Sequence, residues 1–108
     1  MSAPGDVTTA DPARHDNRLV IALTGDLDTR TDAPLQHLIS DRVDGVPVDV
    51  VLDLAEVDFM DCGGIRAVIR AHHLAQASGG TLVVINVKPH IAWLFQITGV
   101  GALITPPG

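Results

Sequence analysis

The segment Asp58–Gly64 reads DFMDCGG, which places carboxylates, the only cysteine of the chain and a pair of glycines directly after the apolar run VDVVLDL. These residue types suit an acidic docking surface, a reactive thiol or a glycine-rich phosphate loop. A second acidic segment, GDLDTRTD, begins where another apolar run, RLVIALTG, ends. Because ligands and partners of parallel α/β sheets meet the carboxyl ends of the strands, we expect the two segments to lie near each other.

Catalytic and metal-binding arrangements are not recognisable in the sequence. His72 and His73 are adjacent on a predicted helix and project about 100 degrees apart, whereas metal ligands on one helix usually stand three or four residues apart. The glycine pairs at 63 and 79 lack the strand–GxGxxG–helix context and the GK[ST] ending of phosphate loops. No Ser/His/Asp or Cys/His/Asn set has a recognisable spacing. We therefore expect a protein that is not an enzyme, with no catalytic residue, no metal and no cofactor.

The composition favours a small globular domain with an aliphatic core. The chain has 108 residues, 46% hydrophobic and 19% charged, and its aromatic residues are Phe59, Trp93 and Phe95. Seven basic and 13 acidic residues give a net charge of -6, which repels nucleic-acid backbones. A lone cysteine cannot form an internal disulfide, and no apolar run approaches the ~20 residues that span a bilayer. We expect a cytoplasmic protein with no nucleic-acid partner and no membrane insertion.

Apolar patterning predicts strands that alternate with helices. RLVIALTG is typical of a strand buried on both faces and ended by Gly25. An amphipathic helix follows within TRTDAPLQHLISDRV, with Thr31 or Asp32 as its cap. VDVVLDL is the second strand, residues 63–78 form a second helix, and TLVVINV is the third strand. Pro89 opens a short third helix, and ALIT is a candidate last strand.

This succession predicts an α/β fold with a mixed, mostly parallel sheet of four to five strands, joined to alternating helices by right-handed crossovers. Residues 18–108 are expected to form one domain, since a chain of this size buries an ordinary core. Residues 1–17 are predicted to be a mobile N-terminal segment because they contain two prolines and mixed polar residues. Only the DVTT stretch within that segment can pair as an edge strand.

Three segments of the sequence resemble, in order, STAS domains of the bacterial anti-sigma-factor antagonist type. They are GDLDTRTDAP, VVLDLAEVDFMDCGGIRAVIRA and GGTLVVINVKPHIAWLFQITGV. Members of that family carry a G-E-L-D-like turn, an F-[IM]-D-S-S-G-like turn that opens a helix, and a late T-G-L-like helix end. The resemblance extends from Arg18 to Leu103 and depends on the arrangement of all the segments. It implies the STAS fold.

The resemblance also implies a non-enzymatic switch protein that binds an anti-sigma factor of the GHKL serine-kinase type and so frees the sigma factor. In the family, the kinase phosphorylates the hydroxyl residue immediately before the glycine of the second turn, and the phosphate breaks the complex. Alignment of FMDCGG with F-M-D-S-S-G puts Cys62 at the first serine and Gly63 at the acceptor. Glycine has no side-chain oxygen to receive a phosphoryl group. We therefore hypothesise a constitutively unphosphorylated protein that binds its partner without the usual reset.

The same alignment implies which residues bind the partner. Asp28 matches the acid of the first turn and Asp61 the acid before the acceptor, although either residue alone could simply favour a helix N-terminus or a solvated turn. Cys62 or Gly63 is expected at the N-cap of the second helix. The predicted partner-binding set is Asp26, Asp28, Met60, Asp61, Cys62, Gly63, Gly64, Ile65 and Arg66.

Cys62 has a redox interpretation beside its docking role. The N-terminus of a helix favours the thiolate, whereas the acids around Cys62 disfavour it, and most lone cysteines are small buried residues. A redox switch at Cys62 is therefore kept as the weaker alternative, to be abandoned if peroxide or diamide changes neither the affinity for the partner nor the reactivity of the protein relative to Cys62→Ser.

Two further functions stay open. A STAS subunit of a membrane-associated transport or scaffold complex is also found without a phosphate acceptor, and a small-ligand sensor could use a pocket between the two acidic turns. Relatives usually continue from the last strand into a further amphipathic helix, whereas this sequence ends at LITPPG. A second copy of the chain could cover apolar surface near Trp93 or Leu103, so homodimerisation also stays open.

Overall fold

A computed structural model describes the backbone of residues 6–11 and residues 18–43 and 45–104 in full. Most of the predicted mobile segment, residues 1–5 and 12–17, lies outside the described residues, so its mobility stays a prediction. Between those two stretches the chain forms a strand, β1, over Asp6–Asp11, which contains the DVTT stretch. This strand pairs antiparallel with the next strand at one edge of the sheet.

After β1 the elements alternate between strand and helix, as the apolar patterning predicts. They are β2 (Arg18–Leu27), α1 (Asp32–Arg42), β3 (Asp49–Met60), α2 (Cys62–Ala77), β4 (Leu82–Ile85) and α3 (Pro89–Ile97). Among the described residues the sheet has four strands in the order β1-β2-β3-β4, and the β2–β3 and β3–β4 pairs are parallel. The predicted α/β fold with a mixed, mostly parallel sheet is therefore confirmed.

The predicted last strand is replaced by a short helical turn. Residues Gly101–Leu103 form a 3-10 turn, and Ile104 makes only a single parallel bridge to Val84. The reason is local: the Leu103 amide donates to the carbonyl of Val100, and the Ile104 amide donates to the carbonyl of Gly101. Backbone donors that are used within a turn are not available to a strand ladder.

The sheet is fully buried on one face only, which corrects the expectation of a strand buried on both faces. Leu19, Ile21 and Leu23 of β2 are buried, whereas the intervening Val20 and Ala22 are partly exposed. The same alternation runs through the first half of β3. Because successive side chains of a strand point to opposite faces, the buried set faces one helical layer, in which α1 and α2 pack against each other.

Small residues and a few polar contacts hold α1 and α2 together above the sheet. Three fully buried alanines follow the inner face of α2 at helical spacing, and they let this helix approach its neighbours closely; they are Ala67, Ala71 and Ala75. Gln36 Nε2 of α1 donates to the carbonyl of Ala67 at 2.9 Å. Arg70 Nη1 of α2 donates to Asp32 Oδ2 at 2.8 Å. These contacts fix the start of α1 relative to α2.

Truncation of a core residue in the central strand should destabilise the domain strongly. Leu52 of β3 is 0% exposed, so Leu52→Ala should lower the free energy of unfolding by about 2–5 kcal/mol. The matched control is Ile97→Ala, because Ile97 is 58% exposed and its truncation should cost only about 0.5 kcal/mol. Urea denaturation followed by circular dichroism measures both values, and equal losses would contradict this assignment of the core.

Candidate functional site

The ends of β2 and β3 bring the two acidic segments together. In the parallel pairing of these strands, Asp26 lies opposite Phe59 and Leu27 lies opposite Met60. The Asp61 amide then donates to the carbonyl of Leu27 at 3.2 Å, directly before α2 begins. The expectation that GDLD and DFMDCGG lie near each other is confirmed.

Both strands run further than the sequence predicts. β2 continues through Gly25, where φ is +80 and the β2–β3 register shifts before Asp26. Glycine adopts this left-handed conformation without the cost that a side chain would add. β3 continues through Asp58 to Met60, so most of the predicted DFMD turn is strand. The strand–helix junction is consequently tight, with Asp61 as the one residue between β3 and α2.

Asp61 is the N-cap of α2, which corrects the prediction of Cys62 or Gly63 at that position. Its backbone is extended, with φ -111 and ψ -171, and its Oδ1 accepts a hydrogen bond from the Gly64 amide at 3.1 Å. Aspartate is among the best N-cap residues because its carboxylate satisfies an amide that has no partner within the helix. Cys62 is instead the first residue of α2, and it is exposed.

Both glycines at the start of α2 stand against the end of β2. A Cβ at Gly64 would lie 2.5 Å from the Leu27 carbonyl oxygen, so only glycine fits there without a backbone shift. A Cβ at Gly63 would lie 2.6 Å from Thr29 Cγ2 and 2.7 Å from the Thr29 amide nitrogen. Position 63 has no hydroxyl because it is glycine. In addition, the facing turn occupies the space in which a side chain at this position would begin.

The facing turn is a 3-10 turn over Thr29–Thr31 that is closed by its own side chains. Asp28 Oδ1 accepts from the Arg30 amide at 2.9 Å, and Thr31 Oγ1 accepts from the Asp28 amide at 3.2 Å. The Arg30 guanidinium holds both carboxylate oxygens of Asp28, with Nη2 at 2.6 Å from Oδ2 and Nε at 3.1 Å from Oδ1. These two hydrogen bonds between the guanidinium and the carboxylate give the turn a defined shape.

Arg30 places one positive charge among the acids of the site. Its side-chain hydrogen bond, followed by that of its amide, lowers the pKa of Asp28 below the usual value for a carboxyl. Asp28, through its hydrogen bond, and then the charges of Asp26 and Asp61 raise the pKa of Arg30. Charges from both acidic segments therefore act on Arg30. The Asp28 carboxylate is part of an ion pair and is not free.

The predicted partner-binding set divides by exposure. Asp61, Cys62 and Arg66 are exposed, and Asp26, Asp28 and Gly63 are partly exposed. Met60 and Ile65 are 6% and 4% exposed, and Gly64 is also buried. These three residues are buried because β3 continues through position 60 and α2 turns position 65 towards the core, and their role in binding stays a prediction.

Two residues of the site were missed by the sequence analysis. Thr29 is exposed and faces Gly63, and Arg30 is paired with Asp28. A signal for Arg30 was present in the pattern Asp-x-Arg, since an aspartate that caps a turn two residues ahead can also meet the side chain there. The approach of Thr29 to Gly63 depends on the register between two strands and had no local signal.

Other expected features lie away from this corner. Trp93 and Ile97 stand four residues apart on α3 and expose 64% and 58% of their surfaces, whereas Leu103 is partly buried against the core. Homodimerisation through apolar surface near Trp93 or Leu103 therefore stays open. Within residues 18–43 and 45–104, no group of three or more His, Cys, Asp and Glu side chains could hold a metal ion. No helix in the described part of the chain has the length and apolar character to cross a membrane.

Comparisons with known proteins bear on the family and the fold of the chain. Residues 10–105 match the family model described as Mlab, STAS domain. The putative anti-sigma factor antagonist BtrV of Bordetella bronchiseptica is 30% identical over 84 residues, which are 78% of this chain and 72% of BtrV. The anti-sigma factor antagonist SpoIIAA in its unphosphorylated form aligns with a TM-score of 0.80 at 22% identity, over 95% of this chain and 89% of that chain.

The fold also occurs within a much larger protein. The murine Solute Carrier 26 family member A9 anion transporter aligns with a TM-score of 0.71 at 16% identity, over 97% of this chain and 21% of the transporter. The family match spans most of the sequence, and the chain therefore belongs to the STAS domain family. Within that family it is an anti-sigma-factor-antagonist-like domain, because the relatives found by sequence carry that name.

Loss of the Asp61 cap should destabilise α2 without removing the helix. Asp61→Ala leaves the Gly64 amide without its acceptor, and we expect the free energy of unfolding to fall by about 0.5–2 kcal/mol. Asp61→Ser is the matched control, because serine caps a helix about as well as aspartate. Thermal and urea denaturation give the values, and a full loss in Asp61→Ser would show that the cap is not the cause.

The Asp28–Arg30 pair should be visible in a titration of carboxyl groups. We expect NMR to give Asp28 a pKa below ~3.9, the usual value for aspartate, and Arg30→Met should raise it. The pair stabilises the fold above the unfolded-state pKa, and this contribution disappears as pH falls through the lower folded-state pKa. Asp58, whose pKa is lowered by Lys88, is the internal control and should not respond to Arg30→Met.

Proposed function

We propose that this protein is a non-enzymatic anti-sigma factor antagonist that binds a serine-kinase-type anti-sigma factor in the cytoplasm. The binding surface, here called the acidic corner, consists of the exposed and partly exposed residues Asp26, Asp28, Asp61, Cys62 and Arg66 together with Gly63. Contact with the partner there would compete with the sigma factor and release it. The kinase of this class would be of the GHKL type, as the sequence resemblance implies.

The observation that carries the proposal is the junction of the two acidic segments. Leu27 and Met60 pair across the sheet, and the Asp61 amide bonds to the Leu27 carbonyl, so the end of β2 and the start of α2 form one continuous surface. This surface contains the acidic turns of two of the three segments that resemble the antagonist family. Charges concentrated on one exposed surface favour encounter with a complementary partner.

The charge of the corner suits a basic partner surface. Asp61 is exposed and bears no ion pair among the described residues, while Arg30 is held by Asp28. The net charge of the chain is -6, which adds a long-range attraction to a positively charged partner. We infer that Asp61 supplies most of the charge contact, and that Asp28 mainly shapes the turn.

Position 63 would take no part in regulation by phosphate. Glycine offers no hydroxyl, and the Thr29 amide nitrogen stands 2.7 Å from where a Cβ would be. A serine at this position would have to displace the backbone of the turn, which is held by the Asp28–Arg30 pair. The proposed protein therefore differs from antagonists that carry their acceptor on α2.

A second candidate function is a STAS subunit of a membrane-associated transport or scaffold complex. It is favoured by the occurrence of the fold within an anion transporter. Such a subunit needs a docking surface but no phosphate acceptor. Its partner would be an ATPase or a large scaffold instead of a free kinase.

Affinity capture with the purified protein, from cells of its own organism, separates the two candidates. We expect an anti-sigma factor kinase to be retained, and Asp61→Arg to weaken its binding about tenfold or more because the charge at the centre of the surface is reversed. Recombinant kinase and calorimetry then give the affinity. Capture of a transport ATPase, with no kinase bound, would replace the antagonist proposal by the second candidate.

Two control variants separate charge from structure in this measurement. Asp61→Ser keeps the helix cap and removes the charge, so it should weaken binding less than Asp61→Arg does. Asp41→Arg makes the same change of charge on an exposed residue at the far end of α1. Binding that falls equally in Asp41→Arg and Asp61→Arg would indicate an effect of net charge alone and would contradict the acidic corner.

A further inference from the structure

We propose that Thr29 Oγ1 is the phosphate acceptor of this protein, in place of the hydroxyl that is absent at position 63. The inference rests on the proposed function, because it requires a kinase that docks at the acidic corner. It concerns a residue outside the predicted binding set, on the turn that faces α2.

Thr29 reaches the same small volume in which a side chain at position 63 would begin. The Cβ position of Gly63 lies 2.6 Å from Thr29 Cγ2 and 3.1 Å from Asp61 Oδ1. The Thr29 hydroxyl is attached to the same Cβ as this methyl group. Rotation about the Cα–Cβ bond by about 120° to another staggered rotamer would bring the oxygen to the place that the methyl group now occupies, and the methyl group would move to the position of the Cβ hydrogen.

Thr29 is an exposed residue whose hydroxyl is unused. Thr29 is exposed, and its hydroxyl has no hydrogen-bond partner in the part of the chain that the structure describes. The neighbouring threonines do not share these properties. Thr31 is 1% exposed and its hydroxyl oxygen accepts from the Asp28 amide, while the hydroxyl oxygen of Thr24 is buried within β2.

The reaction is an ordinary phosphoryl transfer from ATP bound to the kinase. Thr29 Oγ1 attacks the γ-phosphorus, a new O–P bond forms, and the bond between the γ-phosphorus and the β–γ bridging oxygen breaks. ADP leaves with the bonding electrons, and the hydroxyl proton passes to a base of the kinase or to water. Neither oxidant nor reductant is needed, and the products are ADP and phosphothreonine.

A phosphate on Thr29 would change the acidic corner as a whole. It adds nearly two negative charges beside Asp28 and Asp61, and it offers the Arg30 guanidinium a second anionic partner. If Arg30 moves to the phosphate, Asp28 loses its ion pair; if Arg30 stays, the phosphate is left among carboxylates. Either result would weaken binding to a partner surface that is complementary to the unphosphorylated acidic corner. Phosphorylation of Thr29 would therefore release the complex. The hypothesis of a constitutively unphosphorylated protein would then be wrong.

The test uses the kinase that the purified full chain binds in the capture experiment. Wild-type protein is incubated with this kinase and Mg-ATP, and phosphate is followed on Phos-tag gels and located by fragmentation mass spectrometry. We expect one phosphate on Thr29, and a fall in affinity for the kinase of about tenfold or more. A phosphate located on any other residue, or none on a chain that binds the kinase, would overturn the inference while the proposed function stands.

Variants at position 29 make the test independent of any structural damage. Thr29→Val keeps the methyl group that faces Gly63 but has no hydroxyl, so it should bind the kinase in the absence of ATP and take no phosphate. Thr29→Ser keeps the hydroxyl and should be phosphorylated. Thr81→Ala removes an exposed threonine beside Asp49, at the opposite end of the sheet, and should behave as wild type.

Labelling of Thr29→Val equal to wild type would refute the assignment, whereas failure of all forms to bind a kinase would refute the proposed function.

Discussion

The close approach of α2 to the end of β2 is the constraint on which the rest of the site depends. The Leu27 carbonyl accepts from the Asp61 amide, and the same carbonyl oxygen stands 2.5 Å from where a Cβ of Gly64 would be. With a larger residue at position 64 the helix would have to begin further from the strand. The cap at Asp61 and the contact between Gly63 and Thr29 both require this short distance. The glycine pair therefore serves packing between elements, although it resembles a flexible loop in the sequence.

The sequence predicts the order of elements well because that order depends on apolar periodicity. Boundaries were less accurate where a strand leaves the core. Glu56 and Asp58 are exposed and polar, so their side chains carry no signal of burial in the sequence, yet the backbone there still pairs with β2. At an exposed position the hydrogen bonds of the backbone do not depend on the polarity of the side chain. For this reason β3 can extend past its apolar run. The reverse holds at residues 101–104, where apolar side chains coincide with a local turn.

The sequence predicts an acidic surface formed by two neighbouring segments, but not which of the residues in those segments are exposed. Motif alignment finds positions along the chain, and it cannot distinguish residues that face outward from those, such as Met60 and Ile65, that anchor the motif in the core. Nor does it reveal Thr29 or Arg30, whose importance comes from the register between β2 and β3. Side-chain hydrogen bonds that close the 28–31 turn are local, but their contact with α2 is a property of the folded sheet.

The missing hydroxyl at position 63 has to be judged together with the turn that faces it. A serine there would need space that the Thr29 backbone occupies, and that backbone is held by hydrogen bonds that the amide and guanidinium of Arg30 donate to the Asp28 carboxylate. A substitution at position 63 alone would therefore clash with the turn that contains Thr29. The two elements form one steric unit, in which glycine on the helix and threonine on the turn are complementary. Regulation of such a corner is more easily transferred to the neighbouring hydroxyl than restored at the glycine.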